Sequence, residues 1–171
     1  MKWDRMGYYG LTVGQSGIMI AVEGNTMAAF IGTHIHTLDD KGRVSVPAQF
    51  RKRLTAEDMY LNVGMEGCLV LYPSERWHQL EEKLLEISRG SRKARYLRRK
   101  LAQNLRAVSL DSQGRISVPA DLAEKAGITG EVLFLGQIDL MELWQPERYE
   151  AHCESQEIPL EDIAEDYDLP L

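Results

Sequence analysis

The sequence predicts an α+β fold made of two copies of one small unit, joined by a helical segment. An eleven-residue segment that begins at Leu38 recurs from Leu110 with eight identical positions. Inside each copy apolar and polar residues alternate as in half-buried strands, whereas between the copies apolar residues recur at helical spacing. With 171 residues, 44% of them apolar and 27% charged, the chain has the composition of one globular domain, or of two small ones that share a core.

The repeated segment reads Leu-Asp-Asp-Lys-Gly-Arg-Val-Ser-Val-Pro-Ala at 38–48 and Leu-Asp-Ser-Gln-Gly-Arg-Ile-Ser-Val-Pro-Ala at 110–120. The same offset of 72 positions aligns Leu61 with Leu133 and Gly64 with Gly136. An ungapped repeat of about 45 residues indicates two copies of one structural unit. Because a unit of that size buries too little apolar surface alone, we expect the copies to interlock or to oligomerise.

Each copy is expected to begin with a strand that ends in a turn. The first strands are predicted at 33–38 and 107–110. Each turn opens with an aspartate and contains a glycine suited to positive φ, namely Asp39 with Gly42 and Asp111 with Gly114. The alternating segments 44–46 and 116–118 follow as half-buried strands.

A short helix and two further strands complete each copy. Pro47 and Pro119 suit the first position of the helix, and Gly127 suits its C-terminal stop in the second copy. The remaining strands are expected at 59–63 and 68–72 in the first copy, and at 131–135 and 140–144 in the second.

The segment between the copies is predicted to be helical and basic. Ser74 is expected to cap a first helix, and Gly90 and Ser91 separate it from a second helix over about 92–104. No acidic residue lies between Glu86 and Asp111, and eight basic residues do: Arg89, Arg92, Lys93, Arg95, Arg98, Arg99, Lys100 and Arg106. Such a run is most often a solvated helix face, with phosphate contact or subunit packing as the alternatives.

These patterns divide the chain into five segments. We expect an N-terminal extension at 1–28, repeat 1 at 33–79, the basic helical bridge at 80–106, repeat 2 at 109–152 and an acidic C-terminal tail at 153–171. The extension is expected to be either disordered or a misassigned start, because residues 1–26 have no clear periodicity and Met27 stands just before the patterned region.

The formal net charge of −6 argues against a nucleic-acid partner only until its distribution is considered. Eight acidic residues and no lysine or arginine lie between Glu150 and Leu171, so the remainder of the chain carries +2. A polyanion partner therefore remains compatible with the composition.

Other classes of protein lack support in the sequence. Cys68 and Cys153 are too few for a disulfide framework, and no apolar run approaches the roughly 18 residues of a membrane helix, so we expect a cytoplasmic protein without a membrane partner. No nucleophile elbow, Walker loop or zinc-protease motif occurs, so we expect neither an enzyme nor a cofactor. His34 and His36 share a strand face without a third ligand, and no metal site is expected.

The paired Asp-x-x-Gly-Arg-x-Ser-Val-Pro segments resemble the SpoVT/AbrB family, whose swapped-hairpin β-barrels bind DNA. Two copies in tandem with a basic helical bridge look like the MraZ family, as do Leu-Tyr-Pro-Ser-Glu-Arg-Trp at 71–77 and its counterpart Leu-Trp-Gln-Pro-Glu-Arg-Tyr at 143–149. This resemblance covers about residues 29–150. It implies an α+β fold of two tandem SpoVT/AbrB-like swapped-hairpin β-barrel repeats joined by a helical segment.

The resemblance also implies a function. It implies a bacterial transcriptional regulator at its own promoter, upstream of a cell-division and cell-wall gene cluster. The expected partners are double-stranded DNA with short G-rich direct repeats and further copies of the chain in a ring such as an octamer. The expected location is the cytoplasm, in association with the nucleoid.

Two arginines are the main candidate DNA-binding residues. Arg43 and Arg115 complete Asp-x-x-x-Arg elements, and a guanidinium can bond O6 and N7 of guanine together. Lys41 is expected to add a phosphate contact that neutral Gln113 does not supply in the second copy. The aspartates and glycines of the turns are expected to position these loops: Asp39, Gly42, Asp111 and Gly114.

Three alternatives remain open at this point. The Asp–Arg pairs could be ordinary surface ion pairs of little energetic weight. The chain could be an antitoxin-like interaction module whose acidic tail wraps a basic partner. It could also be a structural ring without affinity for DNA.

Overall fold

The computed structural model describes residues 29–54, 59–87, 89–155 and 158–168, and the N-terminal extension expected at 1–28 lies outside them. The described chain is α+β. Its elements in order are β1 (Phe30–Thr37), β2 (Arg43–Ser45), α1 (Ala48–Arg51), β3 (Met59–Val63), β4 (Leu69–Tyr72), α2 (Ser74–Glu86), α3 (Arg92–Gln103), β5 (Arg106–Val108), β6 (Arg115–Ser117), α4 (Ala120–Ala126), β7 (Glu131–Ile138), β8 (Met141–Trp144), α5 (Pro146–Glu154) and α6 (Leu160–Asp166).

Strands from both copies form one antiparallel sheet in the order β1-β7-β8-β4-β3-β5. The first strand of each copy pairs with a strand of the other copy, since β1 pairs with β7 and β5 pairs with β3. Equivalent strands also pair with each other, β4 with β8 in the sheet and β2 with β6 in a separate two-stranded ribbon. The two copies therefore interlock, and each completes the core of the other.

The main core lies between one face of the sheet and the layer formed by the ribbon, α1 and α4. Phe134, Leu61 and Leu143 supply the sheet side, and Val44 of the ribbon and Leu122 of α4 pack against them. Each of these five side chains is fully buried. Because alternate residues of a strand face opposite sides, the intervening residues form a second core on the other face.

The second core is small and aromatic. Trp144 packs with Cys68, Val70 and Leu133, and Tyr149 of α5 lies against it. Farther along this face, Trp77 of α2 stacks with Tyr60 and Tyr72. The helices α2 and α5 thus cover this side of the sheet at equivalent places in the two copies.

Several helix ends differ by one residue from the sequence-based prediction. The N-cap of α2 is Pro73 and not Ser74, which is the first helical residue and makes no side-chain capping hydrogen bond. Pro47 and Pro119 are likewise N-caps and not first helical residues. The reason is that each of these prolines has an extended ψ, near 135–149°. The predicted stop at Gly127 is confirmed, with a left-handed φ of 66°.

The helical bridge and the C-terminal region are more ordered than the repeat motifs alone require. The break between α2 and α3 lies where Gly90 and Ser91 predict it, and the Ser91 hydroxyl accepts a hydrogen bond from the N–H of Ala94 at 3.5 Å. The acidic segment expected as a tail includes the end of α5 and all of α6.

Candidate nucleic-acid interface

The ribbon of β2 and β6 brings the two repeated motifs together. Val44 pairs with Ile116, Arg43 with Ser117, and Arg115 with Ser45. Val44 and Ile116 are completely buried, so the residues on either side of them in each strand lie on the outer face. Arg43 and Arg115 therefore lie diagonally across the ribbon on one exposed surface, although 72 positions separate them in the sequence.

The two turns that precede these strands have the same geometry. In the first, the N–H of Gly42 donates to the carbonyl of Asp39 at 2.8 Å, and in the second, Gly114 donates to Asp111 at 2.9 Å. Both glycines have positive φ, 71° and 75°, which side-chain-bearing residues rarely adopt. The turns are also tied across the ribbon, because Val118 donates to the carbonyl of Gly42 at 2.8 Å.

Each aspartate organises its turn and holds its arginine. Oδ1 of Asp39 accepts the backbone N–H groups of Lys41 and Arg43 at 3.0 and 2.9 Å. Its Oδ2 accepts Nε of Arg43 at 2.9 Å and lies 2.7 Å from Nη2. Asp111 makes the same four contacts in the second copy, at 2.9 and 3.0 Å to the backbone and 2.8 and 2.7 Å to Arg115.

This arrangement leaves part of each guanidinium for a ligand. Arginine has five N–H donors, and the aspartate engages the edge formed by Nε and Nη2. The N–H groups of Nη1 and the outer N–H of Nη2 point away from that carboxylate. The free end of the fork has the geometry that two neighbouring acceptors require.

The electrostatics of the pairs fix their charge states. Hydrogen bonds from Arg43 hold the pKa of Asp39 at about 2, and those from Arg115 do the same for Asp111. The bond to Asp39 in turn raises the pKa of Arg43. Nη1 of Arg115 also lies 3.7 Å from Oδ2 of Asp39, so the two pairs form one ionised cluster of balanced charge.

Attraction to a polyanion must therefore come from neighbouring cations. Lys41 is exposed at the tip of the first turn, and the equivalent Gln113 is exposed at the tip of the second. The structure places a different cation at the second turn, Arg51 from the end of α1. Its Nη1 donates to the carbonyl of Gln113 at 3.5 Å, and its guanidinium fills the space that a Cβ at Gly114 would occupy.

Arg51 is the site residue that reading the repeat misses. Its counterpart at the same offset is Ala123, so the two copies give no matching signal. Nε of Arg51 is buried without a hydrogen-bond partner, and no carboxylate in the described ranges forms an ion pair with it. The available signal was the basic tripeptide Arg51-Lys52-Arg53 directly after the apolar Phe50.

The remaining polar candidates lie outside this cluster. His34 packs edge-on against Phe50 and His36 against Phe134, and burial, followed by the charges of His34 and Arg51, lowers the pKa of His36. Among the residues that the structure describes, no three potential ligands are placed to hold a metal ion. Burial raises the pKa of the Cys68 thiol to about 12, so this thiol remains protonated.

The basic helix α3 has a partly structural role. Arg95 donates to the carbonyls of Arg89 and Gly90 at 2.9 and 2.8 Å, and Arg98 donates to Leu85 and Ile87 at the end of α2. These two guanidinium groups satisfy carbonyls that a helix end leaves without partners. In the part of the chain that the structure describes, no helix is long and apolar enough to span a membrane.

Comparison with known proteins places these features in one family. The family model described as "MraZ protein, putative antitoxin-like" matches residues 29–100 and again residues 101–169. The chain is 38% identical over 126 residues to the transcriptional regulator MraZ of Clostridium acetobutylicum, covering 74% of this chain and 88% of that protein. It is 37% identical over 123 residues to the protein of that name from Lachnoclostridium phytofermentans, with coverages of 72% and 86%. For Caldanaerobacter subterraneus the identity is 36% over 138 residues, with coverages of 81% and 96%.

Proposed function

The chain belongs to the MraZ family, and on that premise we propose that it is a sequence-specific DNA-binding transcriptional regulator and not an enzyme. It acts at its own promoter, upstream of a cell-division and cell-wall gene cluster, by occupying short G-rich direct repeats. Its location is the cytoplasm, in association with the nucleoid.

The observation that carries this proposal is the position of Arg43 and Arg115 on one exposed face of a two-stranded ribbon. The major groove of B-DNA admits a two-stranded ribbon, and an arginine fork that meets O6 and N7 of guanine discriminates by about 1–3 kcal/mol. Asp39 and Asp111 hold the two guanidinium groups before DNA arrives. Fixed side chains lose less conformational entropy on binding, which favours selectivity.

Phosphate contacts supply the attraction that the balanced Asp–Arg cluster lacks. Lys41 at the first turn and Arg51 at the second each place a cation beside a guanine-reading arginine. Together they flank both ends of the ribbon's outer face. Binding should therefore weaken steeply as the salt concentration rises.

Assembly into a homo-oligomeric ring such as an octamer is part of the proposal, as is closure of each repeat as a swapped-hairpin barrel. We retain the division into repeat 1 at 33–79, a bridge at 80–106, repeat 2 at 109–152 and a C-terminal segment at 153–171. The strand β1 lies at an edge of the sheet and exposes Ile31 and Ile35 to 46% and 56%. An exposed apolar edge strand supports contact with another subunit.

The experiment is fluorescence anisotropy with a labelled fragment from upstream of the gene's own operon and a scrambled fragment of equal length. Wild-type protein should bind the first fragment selectively, and Arg43→Ala should lose that selectivity. Arg43→Lys retains the charge but not the fork, so it should bind both fragments with little preference. Lys83→Ala, which removes one positive charge on the exposed side of α2, is the matched control and should bind as wild type does. Equal affinity of the wild type for both fragments would contradict the proposal.

A second candidate function is an antitoxin-like interaction module, favoured by the wording of the family description. The acidic helix α6 exposes Leu160 and Tyr167 to 66% and 73%, which suits contact with a basic partner. Purification of the native complex under gentle conditions distinguishes this function, since it requires a small basic protein at a fixed ratio to the chain.

A further inference from the structure

The helices α2 and α3 enclose an apolar groove with a volume of about 240 Å³. Trp77, Leu84 and Leu85 line it from α2, and Leu101 and Leu105 line it from the α3 side. Leu85 is 64% exposed at the rim. Two exposed side chains extend this apolar area along the helices, Ile87 and Tyr96.

The groove has a strongly basic lip. The helix α3 carries six cations and no acidic residue over 92–103. Arg95 and Arg98 are engaged by backbone carbonyls, whereas four others are exposed and form no ion pair within the described ranges: Arg92, Lys93, Arg99 and Lys100. The lip on α2 carries Glu81, so an acidic occupant must present its charges toward α3.

The helix α6 has the complementary surface. Leu160, Ile163 and Tyr167 follow one another at helical spacing and are exposed to 66%, 37% and 73%. The opposite face carries four carboxylates within seven residues, Glu161, Asp162, Glu165 and Asp166. None of the four pairs with a cation in the portion of the chain that the structure describes.

We propose that the groove between α2 and α3 is a docking site for α6 of a second copy of this chain. The apolar stripe of α6 fills the groove, and its carboxylates meet the free cations of α3. A neighbouring copy is the occupant because α6 is not among the groove's lining residues in its own chain, where its central Ala164 is already buried elsewhere. DNA fits the basic lip but does not fit the apolar groove.

This contact has a consequence for other ligands of α3. A docked α6 covers part of the basic face and offsets its charge. Sequence-independent attraction of DNA to α3 should therefore rise when docking is lost. This inference does not rest on base reading by Arg43, and its tests report on assembly.

The first test is disulfide trapping between two differently sized versions of the full chain, both carrying Cys153→Ser. One version carries Ala102→Cys in the groove, and the other carries Leu160→Cys on α6. Oxidation of the mixture should give a mixed-disulfide adduct of the two sizes. Replacing Ala102→Cys with Glu124→Cys, an exposed position on α4, should abolish the adduct. Absence of the mixed adduct overturns the proposal. So does exclusive intramolecular closure in a chain that carries both cysteines, because the occupant is then the chain's own helix.

The second test exchanges charges. Arg99→Glu with Lys100→Glu should reduce the assembled fraction in sedimentation several-fold, and Glu161→Lys with Glu165→Lys should reduce it similarly. The four changes together should restore assembly, because the charges are again opposite. Failure to restore it overturns the electrostatic part of the contact. Leu160→Ser with Tyr167→Ser, two exposed positions, should weaken trapping without lowering the melting temperature.

Discussion

Asp39 and Asp111 each serve two purposes with one carboxylate. One oxygen closes the turn through two backbone N–H groups, and the other holds the arginine by one edge. The side chains are about one-third exposed or less, so their value for stability is small, and their main effect is to fix the direction of the guanidinium groups. The same contacts occur in both copies, which the identical spacing of the two motifs makes expected.

The titration of these carboxylates gives a direct check on the pairs. The pKa of each aspartate falls from an ordinary 3.8 to about 2. A depressed folded-state pKa stabilises the fold fully above the unfolded-state value, and this contribution is lost as the pH falls through about 2. Carboxyl NMR should therefore show both midpoints near 2. In Arg43→Ala the pKa of Asp39 should return toward its ordinary value while that of Asp111 changes little. An unshifted midpoint for Asp39 in the wild type would show that the pair does not form in solution.

Arg51 provides a second prediction at the scale of single residues. If it supplies the phosphate contact of the second turn, Arg51→Gln should lower the slope of log affinity against log salt by about 0.9 for each subunit on DNA. The loss should be uniform across DNA sequences, because phosphate contacts carry no base information.

A rescue variant separates this role from mere support of the turn. Gln113→Lys places a cation at the second turn where Lys41 stands at the first. Adding it to Arg51→Gln should restore the salt slope. A purely structural role for Arg51, in which it only props Gly114, predicts no recovery in the double variant.

At the scale of elements, the pairing of α2 with α3 depends on an arginine that the sequence presents as one of many. Arg98 donates to the carbonyls of Leu85 and Ile87 at the end of α2, whereas the adjacent Arg99 is exposed. Hydrogen bonds from a charged donor contribute about 1.5–3 kcal/mol when they are well formed.

Arg98→Ala should therefore lower the free energy of unfolding by about 1–2 kcal/mol, and Arg99→Ala should change it by less than about 0.5 kcal/mol. Urea denaturation of both variants measures the difference. Equal effects of the two changes would mean that the charge of α3, and not the capping bonds, sets the stability.

The positions of the elements follow closely from the sequence. Alternation of apolar residues predicts β3 at the observed residues, and the glycines at 42 and 114 mark the observed turns. The helix caps are displaced because a proline with extended ψ takes the cap position that Ser74 was expected to fill. The local chemistry of a proline decides that residue, and periodicity does not detect it.

At the scale of the whole molecule, the shared sheet makes the two copies one folding unit. Leu61 and Phe134 belong to different copies but to the same core. Leu61→Ala and Phe134→Ala should each destabilise the protein by about 2–5 kcal/mol. Calorimetry should show one transition that each change shifts as a whole. Two separate transitions, with only one of them shifted by each change, would mean that the copies fold independently.

The sequence by itself determined the internal repeat, the identity of the two Asp-x-x-x-Arg turns and the helical bridge, because these depend on contacts between residues close together in the chain. Only the tertiary structure decided which strands pair and which face of the ribbon is exposed. It also brought Arg51 to the second turn, and it left the groove between α2 and α3 uncovered. The physical reason is that strand pairing joins residues up to about 100 positions apart, as Phe30 joins Ile138. Periodicity reports which face of a strand is buried but not which strand lies beside it.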